Sequence, residues 1–175
     1  MIKDKDLSKI KMLVMDVDGT LTDGKIYVGD SGEVFKAFNV KDGYRLINIE
    51  KYNIIPVIIT GKKSEILSKR AAELKIEEVY QGVDDKLKVL DEVIKRYQFT
   101  YENVAYIGDD VNDIDCMKVC YLKACPADAI EEVIEVVDYI CKSNGGNGAV
   151  REFIDLIVMR GIYQNSNTIK IRKNN

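Results

Sequence analysis

The chain has 175 residues, of which 46% are apolar, and a chain of this length folds as one compact domain that buries about 70% of its unfolded surface. We therefore do not expect a second full domain. Its 26 basic and 29 acidic residues nearly balance, so no broad basic face is available to bind a nucleic acid.

Histidine is absent, and the four cysteines are Cys116, Cys120, Cys125 and Cys141. Because no two of them form a C-x-x-C pair, a zinc site is not expected, and we interpret the cysteines as reduced, mostly buried apolar residues. Acid and base chemistry near neutral pH must then come from carboxylates, Lys, Tyr or Cys.

The N-terminal residues 1–6, MIKDKD, lack the apolar core of a signal peptide. No apolar run in the sequence approaches the roughly 18 residues that a membrane span requires. We expect a cytoplasmic protein that does not interact with a membrane.

The first predicted element is a buried parallel strand at residues 12–15, an apolar run that ends at Asp16. Residues 25–28 and 33–38 flank the turn residues 29–32, which predicts a β-hairpin. This insertion, about residues 25–38, is too short to form a helical cap. It leaves an exposed sheet edge, and proteins usually protect such edges by pairing or oligomerisation.

Strands and helices alternate through the rest of the chain. Apolar runs predict strands at residues 54–59 and 104–107, with weaker candidates at 78–80 and 121–124. Helical patterns lie roughly at residues 41–52, 64–74, 84–97, 112–119 and 127–136. This alternation predicts an α/β fold, a doubly wound parallel sheet, in one domain over residues 1–161. The polar residues 162–175 are predicted to be a mobile tail.

Polar side chains follow three of the predicted strands, namely Asp16, Thr60 and Asp109. Ligands of such sheets bind beyond the carboxyl ends of the strands, so we expect these residues to meet at one edge. If Asp18 and Asp113 join them, each pair of carboxylates about 4 Å apart repels by about 4 kcal/mol at an effective dielectric near 20. Such a cluster calls for a cation, and an all-oxygen site beside a phosphate suits Mg²⁺.

The carboxylates divide the predicted chemistry between them. Asp16 is placed to attack phosphorus and form an aspartyl phosphate. Asp18 can protonate the departing alcohol and then take a proton from the hydrolytic water. Asp16, Asp18 and Asp109 are the predicted magnesium ligands, with Asp110 and Asp113 as further ligands or as residues that orient them.

A phosphoryl group also needs hydrogen-bond donors and positive charge around its oxygens. Thr60 offers a hydroxyl, the turn at Gly61 offers backbone amides, and Lys86 offers a point charge. Taken singly, each is typical of an ordinary strand exit, helix cap or solvated lysine. Their joint occurrence in this order favours a phosphatase.

The same segments resemble a known group of enzymes. DVDGT (16–20), ITGKKS (59–64), VDDKLK (83–88) and GDDVND (108–113) match, in order, the four motifs of the haloacid dehalogenase-like (HAD) phosphatases. Within that group, FNVKDGY (38–44), YQGVDDKL (80–87) and GGNGAVRE (145–152) resemble the 3-deoxy-D-manno-octulosonate 8-phosphate phosphatase family. The resemblance extends to about residue 161.

This resemblance implies a capless fold, sugar-acid phosphate substrates and a homotetramer whose subunits meet partly through the hairpin. It also implies that the segment after residue 152 can reach the site of a neighbouring subunit. The residues derived above keep their roles in it: Asp16, Asp18, Thr60, Lys86 and Asp109.

Three basic residues bear on the choice of substrate. Lys62 stands where the family commonly has Arg, and it lacks the planar guanidinium that binds a carboxylate through two hydrogen bonds. A nonulosonate 9-phosphate of the neuraminate type is therefore an alternative substrate. Arg70 matches a basic position expected near the substrate, and Arg151 either grips a carboxylate of the substrate or of a neighbouring chain, or anchors the last helix.

Two other classes of protein stay open at this point. A signalling receiver domain also carries aspartates, a threonine and a lysine on a doubly wound sheet, but Asp18 favours turnover over a stable phosphoprotein. A non-catalytic scaffold could use the hairpin edge, and the intact set of catalytic residue types argues against it.

Overall fold

The computed structural model describes residues 2–172, and its centre is a six-stranded sheet. The strands are β1 (Met12–Met15), β4 (Ile55–Thr60), β5 (Glu78–Gln81), β6 (Val104–Ile107), β7 (Leu122–Cys125) and β8 (Tyr139–Ile140). They pair in the order β5-β4-β1-β6-β7-β8, and every pairing is parallel. The predicted doubly wound parallel sheet is confirmed.

The strand β1 is the centre of the sheet. Met12 pairs with Ile55 of β4 on one side and with Val104 of β6 on the other. Successive side chains of a strand point to opposite faces, so Leu13 joins the hydrophobic cluster on one face and Met12 the cluster on the other. Both faces are buried, as the uninterrupted apolar run predicts.

In the described part of the chain, six α-helices cover the two faces: α1 (Val40–Leu46), α2 (Glu65–Glu73), α3 (Lys86–Arg96), α4 (Ile114–Val119), α5 (Glu131–Ile134) and α6 (Ala149–Arg172). Asn39, Ser64 and Asp85 cap the N-termini of α1, α2 and α3 by accepting backbone N–H bonds. These caps place the first turns of α2 and α3 directly after the loops that follow β4 and β5.

Two predicted helices are shorter in the structure. The pattern at 41–52 divides into α1 and a 3-10 turn at Ile49–Tyr52. This turn ends at Asn53, whose φ is 57°. The pattern at 127–136 forms only α5, because the N–H of Ala127 bonds to Ser143 of a distant loop at 3.0 Å instead of starting a helix. The predicted boundary at residue 161 does not coincide with a helix end, since α6 continues to Arg172; residues 173–175 lie outside the described residues.

The insertion between β1 and α1 contains a two-stranded antiparallel hairpin of β2 (Tyr27–Gly29) and β3 (Gly32–Phe35). The rings of Tyr27 and Phe35 stack across it with centroids 4.1 Å apart. Most of its apolar side chains face solvent, and Val28 is 73% exposed. The predicted hairpin is confirmed, with shorter strands than the pattern indicates.

Two further expectations can be compared with the structure. The four cysteines are free thiols and all are buried, which confirms the interpretation drawn from their spacing. Within residues 2–172, none of the helices combines the length and the apolar character needed to cross a membrane.

Candidate active site

A cavity of about 310 Å³ opens at the carboxyl ends of β1, β4 and β6. Seven residues singled out from the sequence line it together with Gly24 and Asn112: Asp16, Asp18, Thr60, Gly61, Lys62, Asp109 and Asp110. The convergence follows from the topology, because β4 and β6 are the two parallel neighbours of β1 and all three strands end at the same edge.

Asp16 continues β1 by one residue, and its N–H donates to the carbonyl of Ile107 at 3.0 Å. Its side chain is almost fully buried, and Oδ1 accepts a hydrogen bond from Lys86 Nζ at 2.6 Å. Burial and, secondly, the Asp113 carboxylate raise the pKa of Asp16 to about 6, while the Lys86 ammonium opposes the rise. Asp16 is thus a buried carboxylate held in one orientation at the cavity wall.

Lys86 is the first residue of α3 and lies behind Asp16 instead of lining the cavity. Its ammonium is buried between two carboxylates, 2.6 Å from Asp16 and 2.7 Å from Asp113. Burial alone would lower the pKa of Lys86, but the two carboxylates raise it above its ordinary value. The sequence predicted Lys86 as a charge for the phosphoryl oxygens, whereas its contacts in the structure are with Asp16 and Asp113.

Asp113 is fully buried and accepts hydrogen bonds at both carboxylate oxygens. Oδ1 receives Lys86 Nζ and the hydroxyl of Tyr106, each at 2.7 Å, and Oδ2 receives the N–H of Asp109 at 3.1 Å. Both oxygens are therefore occupied by protein donors. Of the two roles open to it in the sequence, this geometry supports that of a residue that orients its neighbours.

Carboxylate oxygens of Asp16, Asp109 and Asp113 lie within 4.8 Å of one another and could hold a metal ion. Asp109 accepts a bond from the Thr20 hydroxyl at 2.7 Å. Burial raises the pKa of Asp109 to about 7 against that hydrogen bond, and the neighbouring carboxylates add to the rise. Buried, mutually repelling oxygen donors of this kind fit a hard cation such as Mg²⁺.

Several known proteins are similar to this chain in sequence and in fold. Residues 47–154 match the family model of the haloacid dehalogenase-like hydrolases. A 3-deoxy-D-manno-octulosonate 8-phosphate phosphatase of Salmonella typhi is 43% identical over 150 residues, which are 86% of this chain and 80% of that protein. The chain belongs to the haloacid dehalogenase-like hydrolases. Within them it belongs to the family of 3-deoxy-D-manno-octulosonate 8-phosphate phosphatases.

Solved structures of the family superpose closely on this one. The 3-deoxy-D-manno-octulosonate 8-phosphate phosphatase of Yersinia pestis gives a TM-score of 0.86 at 41% identity, covering 89% of this chain and 84% of that one. The enzyme of Moraxella catarrhalis, in complex with magnesium ion, phosphate ion and KDO, gives a TM-score of 0.87 at 37% identity, covering 95% of each chain.

Asp18 lies on the cavity wall, but its carboxylate is not part of the three-carboxylate cluster described above. It accepts a hydrogen bond from Lys36 of the segment that follows β3. Of the predicted metal ligands, the cluster contains the carboxylates of Asp16 and Asp109 but not that of Asp18, and its third member is Asp113.

The loops after β4 and β6 form two walls of the cavity. Thr60 ends β4 with a buried side chain, and its carbonyl accepts the N–H of Val83 at 3.1 Å. Gly61 and Lys62 follow it along the wall, and Lys62 is exposed. Asp110 lies on the opposite wall and accepts the N–H of Val111 at 2.7 Å.

Two predicted substrate residues lie away from this cavity. The guanidinium of Arg70 lies 5.9 Å from the ring of Phe38 and 3.0 Å from Glu73, in a separate cleft. Arg151 Nε donates to Asp155 one helical turn along α6 at 2.7 Å. The structure gives Arg151 the contacts of a residue that anchors the last helix.

Sequence reasoning missed three side chains that bond directly to the site: Thr20, Lys36 and Tyr106. The hydroxyls of Thr20 and Tyr106 donate to Asp109 and Asp113. Thr20 belongs to the DVDGT segment and its position signalled a role. Lys36 and Tyr106 lie in apolar strand patterns, where a strand interpretation alone explains them.

Two glycines allow the loops of the site to meet. Gly19 has a φ of +100°, and a Cβ built there would lie 1.9 Å from Asp109 Oδ2. A Cβ on Gly145 would lie 1.8 Å from the carbonyl oxygen of Gly19. The GGNGAVRE segment therefore packs directly on the turn that carries Asp18, which gives this motif a structural reason.

Proposed function

We propose that this protein hydrolyses 3-deoxy-D-manno-octulosonate 8-phosphate to the free sugar acid and inorganic phosphate, with Mg²⁺ as cofactor and Asp16 as nucleophile. The observation that carries the proposal is the buried Asp16 carboxylate, fixed by Lys86 at the wall of a cavity shared with Asp109. Membership of the phosphatase family and the magnesium, phosphate and KDO bound to the Moraxella enzyme support it.

Asp16 attacks the phosphorus atom with one carboxylate oxygen. As the bond from that oxygen to phosphorus forms, the bond from phosphorus to the sugar oxygen breaks, which leaves an aspartyl phosphate on Asp16. Lys86 bonds to Oδ1, so it fixes the plane of the carboxylate while Oδ2 remains for the attack. Water then displaces Asp16 from phosphorus and releases phosphate.

Asp18 moves the protons in both steps. It donates a proton to the departing sugar oxygen, and it then accepts a proton from the water that attacks the aspartyl phosphate. Its place on the cavity wall, two residues after Asp16, supports this role. The same carboxylate serves as acid and then as base, so its protonation state is restored after one turnover.

The remaining residues stabilise charge. Asp16 and Asp109 would hold Mg²⁺, whose positive charge would offset the repulsion between the nucleophile and the phosphate ester. Thr60 and Gly61 line the same cavity, so the hydroxyl of Thr60 and the backbone N–H at Gly61 would donate to the phosphoryl oxygens. Lys86 contributes its charge through Asp16, because it lies behind that carboxylate.

Lys62 is the basic residue on the cavity wall and is proposed to bind the carboxylate of the sugar acid as a point charge. The nonulosonate 9-phosphate alternative and the receiver-domain alternative are not favoured, since the similar proteins are octulosonate phosphatases of a hydrolase family. A substrate contact from Arg70 stays a prediction, and so does a contact of Arg151 with the substrate or with a neighbouring chain.

We further infer a homotetramer that assembles partly through the hairpin. The exposed apolar side chains of Val28, Val34 and Phe35 support it. Apolar side chains on an unpaired sheet edge promote aggregation unless another subunit covers them. A cytoplasmic location stays a prediction.

The nucleophile is tested by Asp16→Asn, which keeps the shape of the side chain and removes the attacking carboxylate. Phosphate release from octulosonate 8-phosphate with magnesium should fall by at least about 1,000-fold. Asp115→Asn, an exposed aspartate on α4, is the matched control and should keep the full rate. Full activity in the Asp16 variant would refute the assignment.

Substrate choice is tested by the same assay on the unaltered protein. Octulosonate 8-phosphate should be hydrolysed faster than neuraminate 9-phosphate, and both faster than hexose 6-phosphates. A higher rate on the nine-carbon substrate would refute the octulosonate assignment and favour a nonulosonate phosphatase. Equal rates on all substrates would refute specificity for sugar acids.

A further inference from the structure

The ammonium group of Lys36 is buried directly after the hairpin, where its side chain is only 3% exposed. It donates to Asp18 Oδ1 and lies 3.0 Å from Glu33 Oε1. A buried ammonium is costly unless it is paired and hydrogen-bonded, so these two carboxylates account for its position.

Glu33 extends these contacts toward the start of α2, at the end of the loop that follows β4. Its second oxygen, Oε2, accepts the hydroxyl of Ser64, and the Oγ of Ser64 accepts the N–H of Leu67 as the N-cap of α2. Ser64 follows the loop that begins at Thr60. A continuous chain of contacts thus joins Asp18 through Lys36 and Glu33 to the loop on the phosphate side.

The bond from Lys36 restricts the Asp18 carboxylate. Asp18 lies in the turn after β1, with a side chain 18% exposed, and only one of its oxygens is engaged by Lys36. With Oδ1 held, rotation of the carboxylate is restricted and Oδ2 is the oxygen left to face a leaving group. Errors of about 1 Å in such a placement can cost about 100-fold in rate.

We propose that Lys36 is a positioning residue for catalysis, which holds the Asp18 carboxylate in the orientation that delivers a proton to the departing sugar oxygen. The inference rests on the proposed phosphatase function and on the proton-transfer role of Asp18 within it. Lys36 takes no part in bond making, and it acts only through Asp18.

A positioning role predicts that the effect of losing Lys36 depends on the leaving group. A sugar alkoxide is a poor leaving group and needs the proton, whereas p-nitrophenolate leaves without one. General acid catalysis contributes about 100-fold to 10,000-fold where it is needed. A purely structural role of Lys36 would lower the rates on both substrates by the same factor.

The experiment compares Lys36→Met with the unaltered full-length protein on octulosonate 8-phosphate and on p-nitrophenyl phosphate. We expect kcat/KM to fall by about 100-fold on the sugar phosphate and by less than about 10-fold on the nitrophenyl ester. Circular dichroism checks that the variant folds. Glu33→Gln, which removes the second partner of Lys36, should show a smaller loss with the same dependence on the leaving group.

Lys25→Met is the matched control, because Lys25 is an exposed lysine before the hairpin paired with Asp23 at 3.1 Å, and it should change neither rate. Equal losses on both substrates, or no loss, in Lys36→Met would overturn the positioning role while leaving the phosphatase in place. If Lys36→Met does not fold, the ratio of losses in Glu33→Gln decides in the same way. Absence of activity in the unaltered protein would overturn the proposed function and the positioning role together.

Discussion

Gly19 sets how closely the turn after β1 approaches Asp109. A methyl group at this position meets a carboxylate oxygen at 1.9 Å, whereas a Cβ on Gly32 in the hairpin turn, which has a similar φ of +107°, meets nothing within 4 Å. Alanine at either position would adopt a similar unfavourable backbone conformation, and only alanine at position 19 would also collide with Asp109.

We expect Gly19→Ala to lower kcat/KM by about 100-fold and to raise the magnesium concentration needed for half-maximal rate, because Asp109 is displaced. Gly32→Ala should cost about 1 kcal/mol of stability and leave the magnesium dependence unchanged. Steady-state rates across a magnesium titration measure both effects. Identical magnesium dependence in the two variants would show that the collision is relieved elsewhere.

At the same scale, sequence reasoning located the residues whose types are unusual for their positions. Acidic residues directly after buried strands are conspicuous, and Asp16, Asp18 and Asp109 all reach the cavity wall. The partners of these residues were harder to predict. Lys36 reaches Asp18 only because the chain after the hairpin folds back over the turn, and that long-range contact has no local sequence signal.

Among the secondary-structure elements, α6 is tied to the loop before it through Glu152. Its carboxylate accepts the N–H of Lys142 at 2.9 Å, the N–H of Ser143 at 3.1 Å and the hydroxyl of Tyr139 at 2.7 Å. Burial alone would raise the pKa of Glu152, but these hydrogen bonds hold it below its ordinary value. The stabilisation that Glu152 gives the folded state is therefore present above its pKa in the unfolded chain, about 4.3. It is lost as the pH falls through its pKa in the folded state.

We expect Glu152→Gln to lower the free energy of unfolding by about 1 kcal/mol at neutral pH, a value reduced because the carboxylate is partly exposed. Urea unfolding at about pH 7 and about pH 3 should show this difference shrinking in acid. Glu132→Gln, at an exposed position of α5, should change little at either pH. Equal destabilisation by Glu152→Gln at both pH values would contradict the pKa argument.

Elements were predictable where burial is continuous. β1, β4 and β6 are fully or mostly buried apolar runs and were located to within one residue. The strand β8 has two residues, Tyr139 and Ile140, which are too few to form a pattern. The short α5 was overestimated because main-chain bonds to a remote loop hold the residues before it.

For the molecule as a whole, the exposed hairpin predicts assembly. Replacing Val28 and Val34 together by Glu places like charges on the proposed contact surface and should convert the proposed tetramer to smaller species. Size-exclusion chromatography with light scattering measures the mass. Ile140→Glu, an exposed apolar residue on the edge strand β8, is the control and should leave the mass unchanged. A monomeric unaltered protein would refute the assembly.

The pairing of β1 with β6 has a consequence for how the protein is made. β1 is synthesised before both of its neighbours in the sheet, and the second of them, residues 104–107, is made much later than the first. Until then β1 presents an unpaired apolar edge, which is the kind of surface that chaperones cover and that aggregation exploits. Synthesis must therefore pass residue 107 before the nascent chain can close its sheet around Asp16.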